Sequence, residues 1–215
     1  MNYLLRSIHQ NIIEDLTPNK VIILLGPRRV GKTVLIHQIL HEISVPYLLL
    51  NGEDINTREL LARRSVENFL QLLEGKRFLV IDEAQKIPEI GQVLKLMIDE
   101  IGGLKVLVTG SSAFDVENYT GEPLTGRKIT YNLYTLAEEE YDPIHPTLLR
   151  KDKLRERLVY GNYPELLQLE SKSQKNRYLN DLINSYLLKD ILAFDNIKNS
   201  NKIVSLLRLL AFQVG

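Results

Sequence analysis

Gly26-Pro27-Arg28-Arg29-Val30-Gly31-Lys32-Thr33 has the phosphate-loop spacing G-x-x-x-x-G-K-[ST]. Each fixed position meets a need of triphosphate chemistry. The backbone must approach crowded negative charge at Gly26 and Gly31, where a side chain would obstruct it. Backbone N–H groups from Arg29 to Val34 then face phosphate oxygens, helped by the positive end of a following helix. Lys32 adds a mobile point charge at the β and γ phosphates, and Thr33 offers a hydroxyl to Mg2+. Arg28 and Arg29 either neutralise phosphate charge or are solvated loop tips; the sequence leaves both open. A plain Gly-containing βα turn with an exposed lysine would use the same letters, but chance supplies the full pattern only about once in a hundred chains of this length.

A second constellation is the apolar run Phe78-Leu79-Val80-Ile81 delivering Asp82 and Glu83. Read as a buried strand, it carries both acids to its C-terminal edge, where open α/β sheets bind ligands. Asp82 is then placed to share Mg2+ with Thr33, and Glu83 to orient or deprotonate a water attacking the γ phosphate. Solvated acids at the start of a loop are the competing reading. Thr109-Gly110-Ser111-Ser112 follows the next apolar run, and Ser111 or Ser112 there can hold the water or sense the γ phosphate, unless the segment is a plain Gly-Ser turn. His37 and His41 stand four apart, but Gln38-Ile39-Leu40 between them lacks the zinc-protease glutamate, so they read as an exposed helix face. Lys172, Lys175 and Arg177 form a small basic cluster that a solvated face explains adequately, with nucleic-acid contact the lesser alternative.

The elements that must position these groups are visible in the hydrophobic pattern. Residues 21–25, 47–50, 78–81, 105–109 and 129–133 read as strands, most of them continuous apolar runs of the kind buried on both faces. Helical spacing occupies the stretch before the first strand (Leu4, Leu5, Ile8, Ile12, Ile13, Leu16), the stretch after the loop (Leu35, Ile36, Ile39, Leu40, Ile43), and residues 57–74 and 87–101. Alternating strands and helices imply a doubly wound parallel α/β sheet. From about Glu138 prolines punctuate a region of helical patterns, and residues 179–194 and 203–210 are the most periodic. The last apolar stripe has nothing after it to pack on, which leads us to expect the front part of a longer protein.

Composition sets outer limits. The chain has 215 residues with 27 Lys+Arg against 27 Asp+Glu, so net charge points to no nucleic-acid or acidic-membrane partner. Without cysteine there is no disulfide framework and no thiolate metal site. No apolar run reaches the roughly 18 residues needed to span a bilayer, and Met1–Gln10 is no signal peptide, so a cytoplasmic protein is expected.

GPRRVGKT, FLVIDEAQ, VLVTGSS and LTGRKITYNL stand in the order used by the AAA+ ATPases, which the chain resembles. IDEAQKIPEIG, GSSAF, LTGR before LAEEEY, GNYPELL and YLLKDI narrow the resemblance to bacterial and archaeal AAA+ ATPases whose ATPase domain precedes a C-terminal domain of unknown function. The resemblance implies a P-loop NTPase core with a five-stranded parallel sheet sandwiched by helices over residues 1–142. It implies a helical lid region over 143–198, and over 199–215 the start of a truncated C-terminal domain that would include a winged-helix-like unit. It implies ATP with Mg2+ and hydrolysis of ATP, and it matches Arg127 to an arginine that reaches the γ phosphate of a neighbouring subunit, which would require a homo-oligomer. A surface arginine beside an edge strand is the alternative for Arg127. The helical part lacks a Gly-Ala-Arg-like segment, so lid arginine contacts are not carried over. Two functions compete: a hydrolytic ATPase, and a nucleotide-gated regulator with little turnover whose DNA or protein partner is met through the missing C-terminal region. A small-molecule kinase is disfavoured by Glu83 beside Asp82.

Overall fold

Val21–Leu25 forms β1, and all five of its side chains are buried. In the computed structural model the described residues are 4–110, 124–141, 150–184 and 200–214. Four more strands join β1 in parallel: β2 (Tyr47–Asn51), β3 (Phe78–Asp82), β4 (Lys105–Gly110) and β5 (Lys128–Asn132), in the order β2-β3-β4-β1-β5. The predicted doubly wound sheet is therefore present. Its period-2 alternation sends Val21, Ile23 and Leu25 into one core, and Ile22 and Leu24 into the other.

Helices cover both faces. One core is closed by Leu61 of α3 (Ile55–Ala62), Phe69 and Leu73 of α4 (Val66–Leu73), and Val93, Leu94 and Met97 of α5 (Ile90–Glu100). The other is closed by Ile12 of α1 (His9–Asp15) and by Leu35, Ile36 and Ile39 of α2 (Lys32–Glu42). The lead-in helix α1 is latched to the edge strand: the Tyr131 hydroxyl donates to Asp15 Oδ2 at 2.5 Å. Burial, with the Asp15 carboxylate beside it, pushes the Tyr131 pKa up to about 12.

Three expected elements differ. The single helix over 57–74 is two helices, broken at Arg64, which takes φ +46°. Ser65 caps the second helix by accepting from Asn68 N, while Arg64 leaves the helix to pair with Glu89 and to donate to Gln92 at 2.8 Å. Helix propensity is thus overridden by a cap and a tertiary contact. The helix expected from Ile87 starts at Ile90 because Pro88 holds Ile87 extended (φ −94°, ψ 120°). Strand β2 is not buried on both faces: it lies at the sheet edge, with Tyr47 and Leu49 about 40% exposed.

The chain divides into two compact units, Met1–Pro146 and Thr147–Gly215. The last described element of the first is the short helix α6 (Glu138–Tyr141). In the second, α7 (Arg150–Tyr160), a 3-10 turn at Pro164–Gln168, α8 (Lys172–Leu182) and α9 (Ser200–Val214) are helical, as expected for this region. A capping box between Ser171 and Gln174 starts α8. The basic cluster on this helix is not a uniform surface. Lys175 is buried, ion-paired to Glu156 and 5.7 Å from the Tyr160 ring, whereas Lys172 and Arg177 are exposed. The Lys175 ammonium is the main reason the Glu156 carboxyl sits below its ordinary range.

Candidate functional site

The C-terminal edges of β1, β3 and β4 converge by register. Leu24 of β1 stands opposite Thr109, and Ile81 of β3 opposite Val108, so Asp82 comes level with Thr109. The loop after β1 and the acids after β3 therefore flank Thr109, the last but one residue of β4. Across that strand the Thr33 hydroxyl donates to Asp82 Oδ2 at 2.8 Å. The buried Thr109 hydroxyl donates to Asp82 Oδ1 and accepts the Glu83 N–H at 3.1 Å. Glu83 takes the left-handed conformation (φ +52°), rare for a residue with a side chain. Its N–H also points to Asp82 Oδ1 at 3.2 Å, and its carboxylate accepts from Gln85 Nε2 at 2.6 Å.

The loop itself is shaped by three constraints. A Cβ on Gly26 would overlap the carbonyl oxygen of Leu133, just beyond β5, so the close approach there is to protein backbone. Val30 buries its side chain completely in the core and anchors the loop from below. Gly31 takes φ +104° as the residue preceding α2, and no side chain caps that helix. Arg29 is also left-handed, at φ +61°. Lys32 is buried and donates to the carbonyls of Gly26 (2.8 Å) and Pro27 (3.0 Å), lying back along the loop. Pro27, Arg29, Thr33 and Val34 face solvent, and Arg28 is partly covered. A helix that opens without a cap, with a lysine at its start, is a ready anion site.

Thr33 and Asp82 fit Mg2+. Both offer hard oxygen ligands, and they are already within hydrogen-bonding distance of each other. Among the described residues no group of three or more His, Asp or Glu stands where it could hold a metal ion. His37 and His41 are both exposed.

Of the residues singled out in the sequence, Gly26, Gly31, Lys32, Thr33, Asp82 and Glu83 come together at one sheet edge. Ser111 and Ser112 lie outside the described residues. Arg127 does not join them within one chain. Its carbonyl accepts from Val21 N at 2.9 Å, which puts it at the N-terminal edge of the sheet, about 16 Å along β1 from Gly26. Its side chain pairs with Asp99. Two residues that shape the site were missed. Thr109 lies inside the Thr-Gly-Ser-Ser segment, and its place at the end of a continuous apolar run, buried on both faces, is the signal that its hydroxyl is buried. Gly52, just beyond β2, belongs to no sequence motif, yet a Cβ there would overlap the Glu83 carbonyl, and its N–H donates to Asp82 O at 2.8 Å.

Comparison with known proteins agrees with this fold. A family model described as AAA domain matches residues 18–142, and one described as Domain of unknown function (DUF8612) matches residues 151–215. An uncharacterized protein of Methanocaldococcus jannaschii is 23% identical over 224 aligned positions, covering 95% of this chain and 49% of that protein. The replication factor C large subunit of Pyrobaculum aerophilum is 29% identical over 134 positions, covering 59% of this chain and 31% of that protein. The chain thus spans half or less of the length of these curated relatives. Among solved structures, the Walker-type ATPase PabY2304 of Pyrococcus abyssi shares the fold with a TM-score of 0.54 at 17% identity, over 89% of this chain and 74% of that one. No helix among the described residues is long and apolar enough to cross a membrane.

Proposed function

This chain belongs to the AAA domain family, and on that premise we propose that it binds ATP together with Mg2+ and hydrolyses the β–γ phosphoanhydride. The observation that carries the reading is the Thr33–Asp82 hydrogen bond beside Glu83, at the mouth of an uncapped helix. In the proposed mechanism the backbone N–H groups of residues 29–34 hold the phosphates. Lys32 exchanges its Gly26 and Pro27 carbonyls for phosphate oxygens. Thr33 and Asp82 would hold Mg2+, which would neutralise phosphate charge. The Glu83 carboxylate takes a proton from the water that attacks the γ phosphorus as the bond to the bridging oxygen breaks, and Ser111 senses the phosphate. Positioning and charge stabilisation supply most of the rate. Arg127 acts only from a neighbouring copy, after leaving Asp99, and residues 143–198 serve as the helical lid.

The Glu83–Gln85 hydrogen bond favours a second reading. A carboxylate held by a neighbouring amide is withdrawn from water, as in a nucleotide-gated switch that meets a DNA or protein client and turns over slowly. Phosphate release by the purified chain, measured with Mg2+ and with EDTA over a range of protein concentrations, tests both. A hydrolase using Arg127 in trans shows a specific activity that rises with concentration. A pure switch leaves bound ATP intact for hours, and a chain that binds no ATP refutes both readings.

A further inference from the structure

Arg6 precedes α1, yet its guanidinium is buried beneath the phosphate loop, 6% exposed. All three of its nitrogens are engaged: Nε donates to Glu140 Oε1 at 3.1 Å, and the terminal nitrogens donate to the carbonyls of Val30 (2.9 Å) and Tyr134 (2.6 Å). Glu140 is itself fixed by the N–H groups of Ser7 (2.8 Å) and Ala137 (2.9 Å) and by the Ser7 hydroxyl (3.1 Å). A Cβ on Gly31 would stand 3.6 Å from the same nitrogen that holds Val30.

The Val30 carbonyl and the Gly31 N–H belong to one peptide unit, and in a trans peptide they point in opposite directions. Pinning the carbonyl inward on a buried cation turns the Gly31 N–H outward, to the side from which an anion approaches. A guanidinium spreads its donors over three nitrogens in a rigid plane that matches three fixed, separated acceptors, whereas the donors of an ammonium all leave one nitrogen at the end of a flexible stem. We propose that Arg6 is a positioning residue for the phosphate loop: it sets the Val30–Gly31 peptide so that the Gly31 N–H meets phosphate, and it ties that setting to residues 134–140 through Tyr134 and Glu140. This rests on the ATP reading for the identity of the anion, but not for the state of the loop.

Two measurements on the 215-residue chain separate these points. Hydrogen exchange of the nucleotide-free protein reads loop order directly, and a fluorescent ATP analogue with Mg2+ reads affinity. Arg6→Lys is expected to speed exchange of the 26–34 amides about tenfold while the β3 and β4 amides keep wild-type rates, and to weaken nucleotide binding about tenfold. For Arg6→Ala, millimolar guanidinium ion restores binding. If Arg6→Ala fails to fold, Arg6→Lys alone decides. Loop exchange and affinity both within twofold of wild type in Arg6→Lys overturn the proposal, and so does exchange that rises throughout the sheet, because Arg6 then supports the fold generally. A wild-type chain that binds no nucleotide overturns the ATP reading, while the loop exchange still decides the role of Arg6.

Discussion

The Thr33 hydroxyl and the Asp82 carboxylate meet at 2.8 Å although 49 positions separate them in the chain. Only the parallel order of β1, β4 and β3 brings the loop after one strand to the acid ending another. If this pair is the metal site, Asp82→Asn removes the negative charge that holds the ion while nearly keeping the shape of the side chain. Expected is ATP binding that Mg2+ strengthens less than about twofold, against a marked Mg2+ dependence in wild type. Titration of a fluorescent nucleotide with and without the metal checks it, and an unchanged Mg2+ dependence places the ion elsewhere.

Thr109 satisfies Asp82 and the Glu83 N–H at once from a fully buried position. Thr109→Val keeps the volume and removes the hydroxyl. Leaving a buried carboxylate and an N–H short of a partner costs about 1–3 kcal/mol, read as a lower urea midpoint. Because Glu83 loses the bond that holds its left-handed turn, kcat falls more than ATP affinity does. Equal loss in both would mean that Thr109 serves only the fold.

Gly26 lacks room for any side chain, since the Leu133 carbonyl occupies the place of its Cβ. Gly26→Ala therefore pushes β5 and the loop apart. Overpacking of this kind costs about 1–3 kcal/mol, and ATP affinity falls with it. Wild-type melting temperature and affinity in the variant would show that the loop yields at no cost.

Glu140 gives the fold a pH dependence. Burial alone would raise its pKa, but the Ser7 and Ala137 N–H groups and the Arg6 guanidinium outweigh burial and hold it below the ordinary range. A carboxyl whose pKa is lower folded than unfolded contributes stability that is fully present above the unfolded value, about 4.3, and is lost as pH falls through the folded value. Urea midpoints between about pH 3 and 7 are expected to fall more steeply on the acid side for wild type than for Glu140→Gln. Parallel curves would remove Glu140 from the acid response.

Most of this architecture was legible because it is written in local pattern. Apolar runs bounded by Gly26, Asp82 and Gly110 announce buried strands, and the glycine, lysine and threonine spacing of the loop carries its own mechanism. What escaped depends on partners distant in sequence. Nothing around Arg6 announces Val30 or Glu140, and Lys175 looked like surface charge until Glu156 and Tyr160 closed over it. The break at Arg64 follows from contacts to Glu89 and Gln92 that no helical period encodes. Strand β2 departs from expectation because sheet order, not an apolar run, decides which strand lies at the edge.

Glu83 and Lys32 divide catalysis from binding, and a single-turnover experiment on ATP already bound to the chain separates them. Wild type is expected to convert bound ATP to ADP and phosphate. Glu83→Gln is expected to bind ATP as tightly and leave it intact, and Lys32→Ala to bind none. Robust phosphate release by the Glu83→Gln protein would contradict the role assigned to this carboxylate, and ATP left whole by wild type would contradict hydrolysis at this site altogether.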